Sequence, residues 1–148
     1  MKPHDRDREL AAVILKDCET LRKRILRFSV TKESFIEDRT DEGELAYDAL
    51  MSPVYRIAED ALHLSDSLQS RYSDYPWNDI RGFRNFVAHG YREVDRAIAW
   101  KVVVGDIPEL ESILKSFLTD YDTLAARAYK APINSEGVAV LPSDWKDE

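Results

Sequence analysis

The stretch Arg81-Gly82-Phe83-Arg84-Asn85-Phe86-Val87-Ala88-His89-Gly90-Tyr91 decides how the chain is to be read. With Ile80 just before it, Phe83 and Val87 repeat apolar side chains at i, i+3 and i+7, the pattern of a helix turned toward a core. Pro76 suits the first turn of that helix, and Gly90 suits a left-handed cap at its end. Arg81, Arg84, Asn85 and His89 then fall on the last turns, with Tyr91 just beyond the cap where the chain turns back. No other part of the chain gathers as much chemistry.

The same periodicity runs outward in both directions. Leu10, Ile14, Cys18, Leu21, Ile25 and Phe28 predict a long amphipathic helix over about residues 6–29. Thr31, Ser34 and Phe35 predict a short helix that turns Phe35 and Ile36 inward. Leu50, Val54, Ile57, Ala61, Leu64 and Leu68 predict a second long helix over about residues 42–69, which Pro53 should kink or split. Ser70 to Tyr75 reads as a loop. Past the motif, Val94, Ile98 and Val102 suggest another short helix. Asp106-Ile107-Pro108-Glu109 has the form of a capping box, with Asp106 as N-cap and Glu109 at N3. Leu110, Leu114, Phe117, Tyr121, Leu124 and Ala128 complete a third long helix. The expected fold is all-α: an antiparallel bundle of three long helices with shorter ones between. One helical domain is expected over residues 1–130, with a flexible C-terminal tail over 131–148, where two prolines, a glycine and several charges end the periodicity.

Composition narrows the function. In 148 residues, 44% hydrophobic and 33% charged, there is no apolar run long enough to cross a bilayer and no apolar signal segment at the charged N-terminus. Cys18 is the single cysteine, so no internal disulfide is possible, and a reducing cytoplasm fits. It lies on an apolar stripe, as a packed core thiol would. His4, His63 and His89 are too scattered for a histidine-based metal site, and His63 shares a polar face with Arg56 and Glu59 that suits solvation. A net charge of −7 argues against a broad nucleic-acid footprint. Residues 71–104, which carry the motif, nevertheless hold six basic and four acidic side chains.

Those motif side chains suit a phosphodiester. On a helix Asn85 and His89 share a face, and so do Arg81 and Asn85. Arg84 and His89 are offset by about 140°, which a long arginine beside a helix end can span. Cleavage of RNA requires a proton taken from the 2′-hydroxyl, a proton given to the leaving 5′-oxygen, and stabilisation of a phosphorane-like transition state. A histidine titrating near neutral pH can perform either transfer. An arginine can bind the non-bridging oxygens in a bidentate manner, without a metal or other cofactor. One histidine cannot readily be base and acid in a single step, so a nuclease of this kind would work best as a two-fold dimer. The same residues allow a plainer reading: His89 complementing the helix dipole, Arg84 paired with Asp79 or Glu93, and Tyr91 at a core edge.

Arg84-Asn85-x-x-x-His89-x-Tyr91 resembles the Arg-x4-His-x-Tyr signature of HEPN domains, specifically the HepT-like toxins of HEPN/MNT toxin–antitoxin pairs. The flanks are similar to that family too, in Pro76-Trp77-x-x-Ile80-x-Gly82 before the motif and in Val94-Asp95, Trp100 and Asp106-Ile107-Pro108-x-Leu110 after it. The resemblance runs from about residue 8 to residue 125. It implies a helical homodimer with both motifs in a shared cleft, and a metal-independent endoribonuclease that shuts down translation. It makes Arg84 and His89 the catalytic pair and Asn85 a supporting residue; Arg81, on the same helix face as Asn85, is expected to support the site as well. It also implies a nucleotidyltransferase antitoxin as partner, which transfers AMP to the motif tyrosine, here Tyr91. AMP adds charge and bulk beside an anion-binding cleft and would repel RNA. The competing expectation is a non-catalytic helical module that binds a nucleotide or scaffolds the nucleotidyltransferase. Trp77 and Trp100 are expected in the core or at an interface.

Overall fold

The computed structural model describes residues 3–90 and 93–129, with side chains described over 5–90 and 93–121. Among the described residues every regular element is helical: α1 (Pro3–Arg27), α2 (Lys32–Glu37), α3 (Asp41–Ala61), α4 (Asp66–Arg71), α5 (Trp77–Gly90), α6 (Arg96–Lys101) and α7 (Ile107–Tyr129). A π-helical turn, Val102–Asp106, joins α6 to α7. The expected tail and the Tyr91 position lie outside the described residues.

The stripes read from the sequence are the faces that pack, except at Phe28 and Ile98, which are exposed. Ile14, Cys18 and Leu21 of α1, Leu50, Val54 and Ile57 of α3, Ile80 of α5, and Leu110 and Leu114 of α7 are all at most 2% exposed. Burial of such side chains removes apolar surface from water and drives the helices together. Cys18 sits in this core as a packed thiol, its pKa pushed up to about 12 by burial and by the neighbouring Glu111 carboxylate. Polar pairs fix the directions. Asp17 with Arg56 and Asp7 with Ser65 run α3 antiparallel to α1, and Arg22 with Glu111 and Asp5 with Tyr121 run α7 antiparallel to α1. Trp77 stacks edge-on against Tyr75 at 4.8 Å, and Trp100 lies 5.3 Å from Phe35; both tryptophans are half-buried.

The structure departs from the sequence reading at the helix boundaries. Pro53 does not split α3, which runs unbroken from Asp41 to Ala61. A proline has no N–H for the carbonyl four residues earlier, and that carbonyl, Ala49 O, accepts instead from Arg24 Nη1 of α1 at 2.7 Å. The expected helix over 42–69 breaks later, between Ala61 and Asp66. There the buried carboxylate of Asp7 accepts from the backbone N–H of Ser65 at 2.8 Å and from its hydroxyl at 2.5 Å. Ser65 Oγ in turn accepts from Leu68 N at 3.1 Å, so Ser65 becomes the N-cap of α4 rather than a residue inside α3. The supposed loop from Ser70 accordingly begins only after Arg71.

The capping box at Asp106 does not form, because no helix starts there. The chain runs helically from α6 into α7, and Ile107 N donates to Val102 O, five residues back. Pro108 has no N–H to continue an α-type register, and the widened turn just before it absorbs the mismatch. The capping box that does form is at Thr31. Its hydroxyl accepts from Ser34 N at 3.1 Å while Ser34 Oγ accepts from Thr31 N at 2.9 Å. Phe35 is buried beneath α2, as the sequence suggests. Gly90 closes α5 with φ 158°, a positive value that favours glycine over residues with a side chain.

Candidate active site

Ile80, Phe83 and Val87 are buried along one face of α5, which packs it on α3; Arg84 meets Glu59 while Val87 and Ala88 face residues 48–56, so the two helices run antiparallel. The rest of the helix surface is left to the polar motif. Arg84 is half-buried, while Asn85 and His89 are exposed. Beyond Gly90 the chain is described again from Glu93. Arg96 then anchors α6: its guanidinium is 5% exposed, donates to both carboxylate oxygens of Glu44 at 2.8 and 3.0 Å, and lies 3.7 Å over the Tyr47 ring. Both ends of the segment carrying the motif are therefore held by buried contacts.

Arg84 is organised by its neighbours. Its Nε donates to Glu59 of α3, and its Nη1 donates to Asn85 Oδ1 at 3.1 Å. The hydrogen bond from Arg84 holds the Glu59 carboxyl below the usual carboxylate range, and Glu59 reciprocally raises the pKa of Arg84. The other Glu59 oxygen faces His63 Nε2 at 3.5 Å. The arginine thus belongs to a chain of side chains, Asn85, Arg84, Glu59 and His63, that crosses from α5 to the last turn of α3 and the residues just after it. Neither Asp79 nor Glu93 is its partner. Arg81 turns the other way and donates to Asn78 Oδ1 at 3.2 Å. His89 has no hydrogen-bond or ion-pair partner among the described residues, so its imidazole is open to solvent and to a ligand. Tyr91 falls outside the described residues.

Chemically, this end of α5 offers a permanently charged guanidinium with two edges, one of them occupied by a carboxylate. It also offers an accessible imidazole one and a half turns away. Glu59 was not picked out by sequence reasoning as a partner of Arg84, and His63 was assigned only to a solvated face. The one available signal is spacing: Ser52, Tyr55 and Glu59 recur at helical steps along one stripe of α3, and His63 follows four residues on, just past the end of that helix.

Comparison with known proteins gives three findings. A family model described as ribonuclease HepT-like matches residues 14–117, which include all of α5. A protein of Caldanaerobacter subterraneus subsp. tengcongensis, provisionally named an RNase, is 30% identical over 105 residues, covering 71% of this chain and 88% of that protein. A Methanocaldococcus jannaschii protein with the same provisional name is 27% identical over 55 residues, covering 37% of this chain and half of that protein. No solved structure matches the chain significantly.

Proposed function

This chain belongs to the HepT-like ribonuclease family, and on that premise we propose that it is a metal-independent endoribonuclease acting through Arg84 and His89. The observation that carries the reading is the placing of both residues on the solvent-facing last turns of α5, with Arg84 oriented by Glu59 and Asn85 and His89 unencumbered. Arg84 binds the non-bridging oxygens of the scissile phosphate and stabilises the charge that develops there. One imidazole removes the 2′-hydroxyl proton as the 2′-oxygen forms its bond to phosphorus. A second imidazole delivers a proton to the 5′-oxygen as the P–O5′ bond breaks, leaving a 2′,3′-cyclic phosphate and a free 5′-hydroxyl.

A two-fold homodimer supplies that second imidazole. The exposed Phe86 beside the motif, and Leu45 on the facing stripe of α3, support such a pairing, being 66% and 60% exposed. In this reading the protein is the toxin of a toxin–antitoxin pair. A partner nucleotidyltransferase silences it by transferring AMP from ATP to the Tyr91 phenol oxygen, with release of pyrophosphate. No helix of the described residues is long and apolar enough to cross a membrane.

The test is cleavage of structured and unstructured RNA in excess EDTA by protein purified without its partner, alongside His89→Ala, with the mass of Tyr91 checked beforehand. The expected result is cleavage leaving 2′,3′-cyclic phosphate ends, reduced about 10²- to 10⁴-fold in His89→Ala. Folded, unmodified protein that leaves RNA intact would overturn the nuclease reading and favour a binding module.

A further inference from the structure

A cavity of about 490 Å³ lies between α3 and α5. Tyr55, one turn before Glu59, lines it, and its phenol is close enough to act electrostatically on Arg84. Ala88, adjacent in sequence to His89, lines the facing wall. The cavity therefore lies one helical turn along α3 from the Glu59 that holds Arg84, and its α5 wall ends one residue short of His89. Met51, Val87 and Ala88 make part of its lining apolar, while Tyr55 adds an aromatic wall.

The charges in the cavity reject an anion. Among the described residues Arg56 is the only cation lining it, and its guanidinium is committed: Nε and Nη2 donate to Asp17 Oδ1 at 3.2 and 3.1 Å, and Nη1 donates to Ser52 Oγ at 2.8 Å. Asp48, exposed at the other end of the lining, has no hydrogen-bond or ion-pair partner among the described residues. The free charged function of the cavity is thus an acceptor-only carboxylate, with the Tyr55 and Ser52 hydroxyls as its neutral polar groups. An aromatic wall, apolar surface and one unpaired carboxylate are what recognises a splayed-out base by stacking and by hydrogen bonds to its Watson–Crick edge. A carboxylate requires donors on that edge. Guanine presents two adjacent ones, the N1 imino and the 2-amino group. Uracil presents one, and adenine and cytosine each present a single amino group beside an acceptor.

We propose that this cavity is a nucleobase subsite that selects guanine through Asp48, next to the phosphate held by Arg84. The proposal rests on the ribonuclease reading and names the substrate feature that such an enzyme would prefer. Tyr55 supplies the stacking surface common to all bases, and Asp48 supplies the discrimination.

The test is calorimetric titration of the full chain, with Tyr91 unmodified, by 3′-GMP, 3′-AMP, 3′-CMP and 3′-UMP, each repeated on Asp48→Asn and Tyr55→Ala. The expected result is 3′-GMP bound about tenfold more tightly than the others. Asp48→Asn should bring it down to their level, and Tyr55→Ala should weaken all four. Equal binding of the four nucleotides, a preference for 3′-AMP, or a guanine preference that survives Asp48→Asn overturns the proposal. A thermal melt of each variant confirms that it folds; Asp48 is exposed and Asn nearly isosteric, so this variant keeps the test decisive even if Tyr55→Ala fails to fold. Cleavage of RNA by the same preparations separates the two readings. A guanine preference without cleavage keeps the subsite and overturns the nuclease, and cleavage without a preference does the converse.

Discussion

Asp60 follows Glu59 on α3 and is half-buried among charges of both signs. Desolvation is the first cause that raises its pKa, repulsion from Asp17 the second, and Glu59 adds to both; His63 and Arg56 oppose them. The folded state therefore favours the protonated carboxyl, and ionising Asp60 costs stability as pH rises from the ordinary aspartate range through the raised value. Asp60→Asn should raise Tm by about 2 °C at pH 7. The gain should shrink as pH falls below the ordinary aspartate range, where the carboxyl is neutral in folded and unfolded chains alike. Melting curves of both proteins at a series of pH values check this, and a gain that does not change with pH would contradict it. At this scale the sequence shows Arg84, Asn85 and His89 together because they share one helix and one periodicity. It does not show Glu59, which is 25 residues from Arg84, because no local pattern says which carboxylate of another helix a guanidinium will meet. Arg81 shows the same limit from the other side: it shares a stripe with Asn85 but bonds Asn78 instead.

Helices α3 and α7 show why elements were legible while their boundaries were not. Apolar periodicity marks α1, α3, α5 and α7 because burial demands it. Pro53 looks like a break because a proline removes a hydrogen bond, yet the loss is made good from outside the helix by Arg24. The compensation makes the two residues energetically coupled. Arg24→Ala should destabilise the protein by about 1 kcal/mol, through the Ala49 carbonyl left without a partner. In a Pro53→Ala background residue 53 has an N–H to offer that carbonyl, so the same Arg24→Ala change should cost markedly less. Denaturant unfolding of the four proteins of this double-mutant cycle measures the coupling, and strict additivity would show that Arg24 and Pro53 act independently. Pro108 exerts its effect in the other way available to it, by widening the turn before it, and so turns an apparent helix start into the interior of a continuous helical run. The break before α4 depends on Asp7, 58 residues away from Ser65, and is beyond any local signal.

Across the whole molecule, a net charge of −7 gives RNA little long-range attraction, so binding in the proposed reading depends on the few cations at the site. The Arg84–Glu59 pair then has a thermodynamic meaning beyond orientation. A cation already neutralised by a carboxylate of its own protein meets a phosphate by exchange. The affinity of such a site is therefore less sensitive to ionic strength than its cations alone would suggest. Glu59→Gln would turn the exchange into a simple neutralisation. The slope of log K against log salt for single-stranded RNA should steepen by about 0.7, one phosphate's worth of released counterions. An unchanged slope would mean that Arg84 keeps Glu59 as its partner when RNA is bound. With the carboxylate in place, the protein resembles an ion-exchange resin supplied in its loaded form: selective for the ligand that displaces its counterion, and quiet toward the polyanions it meets in passing.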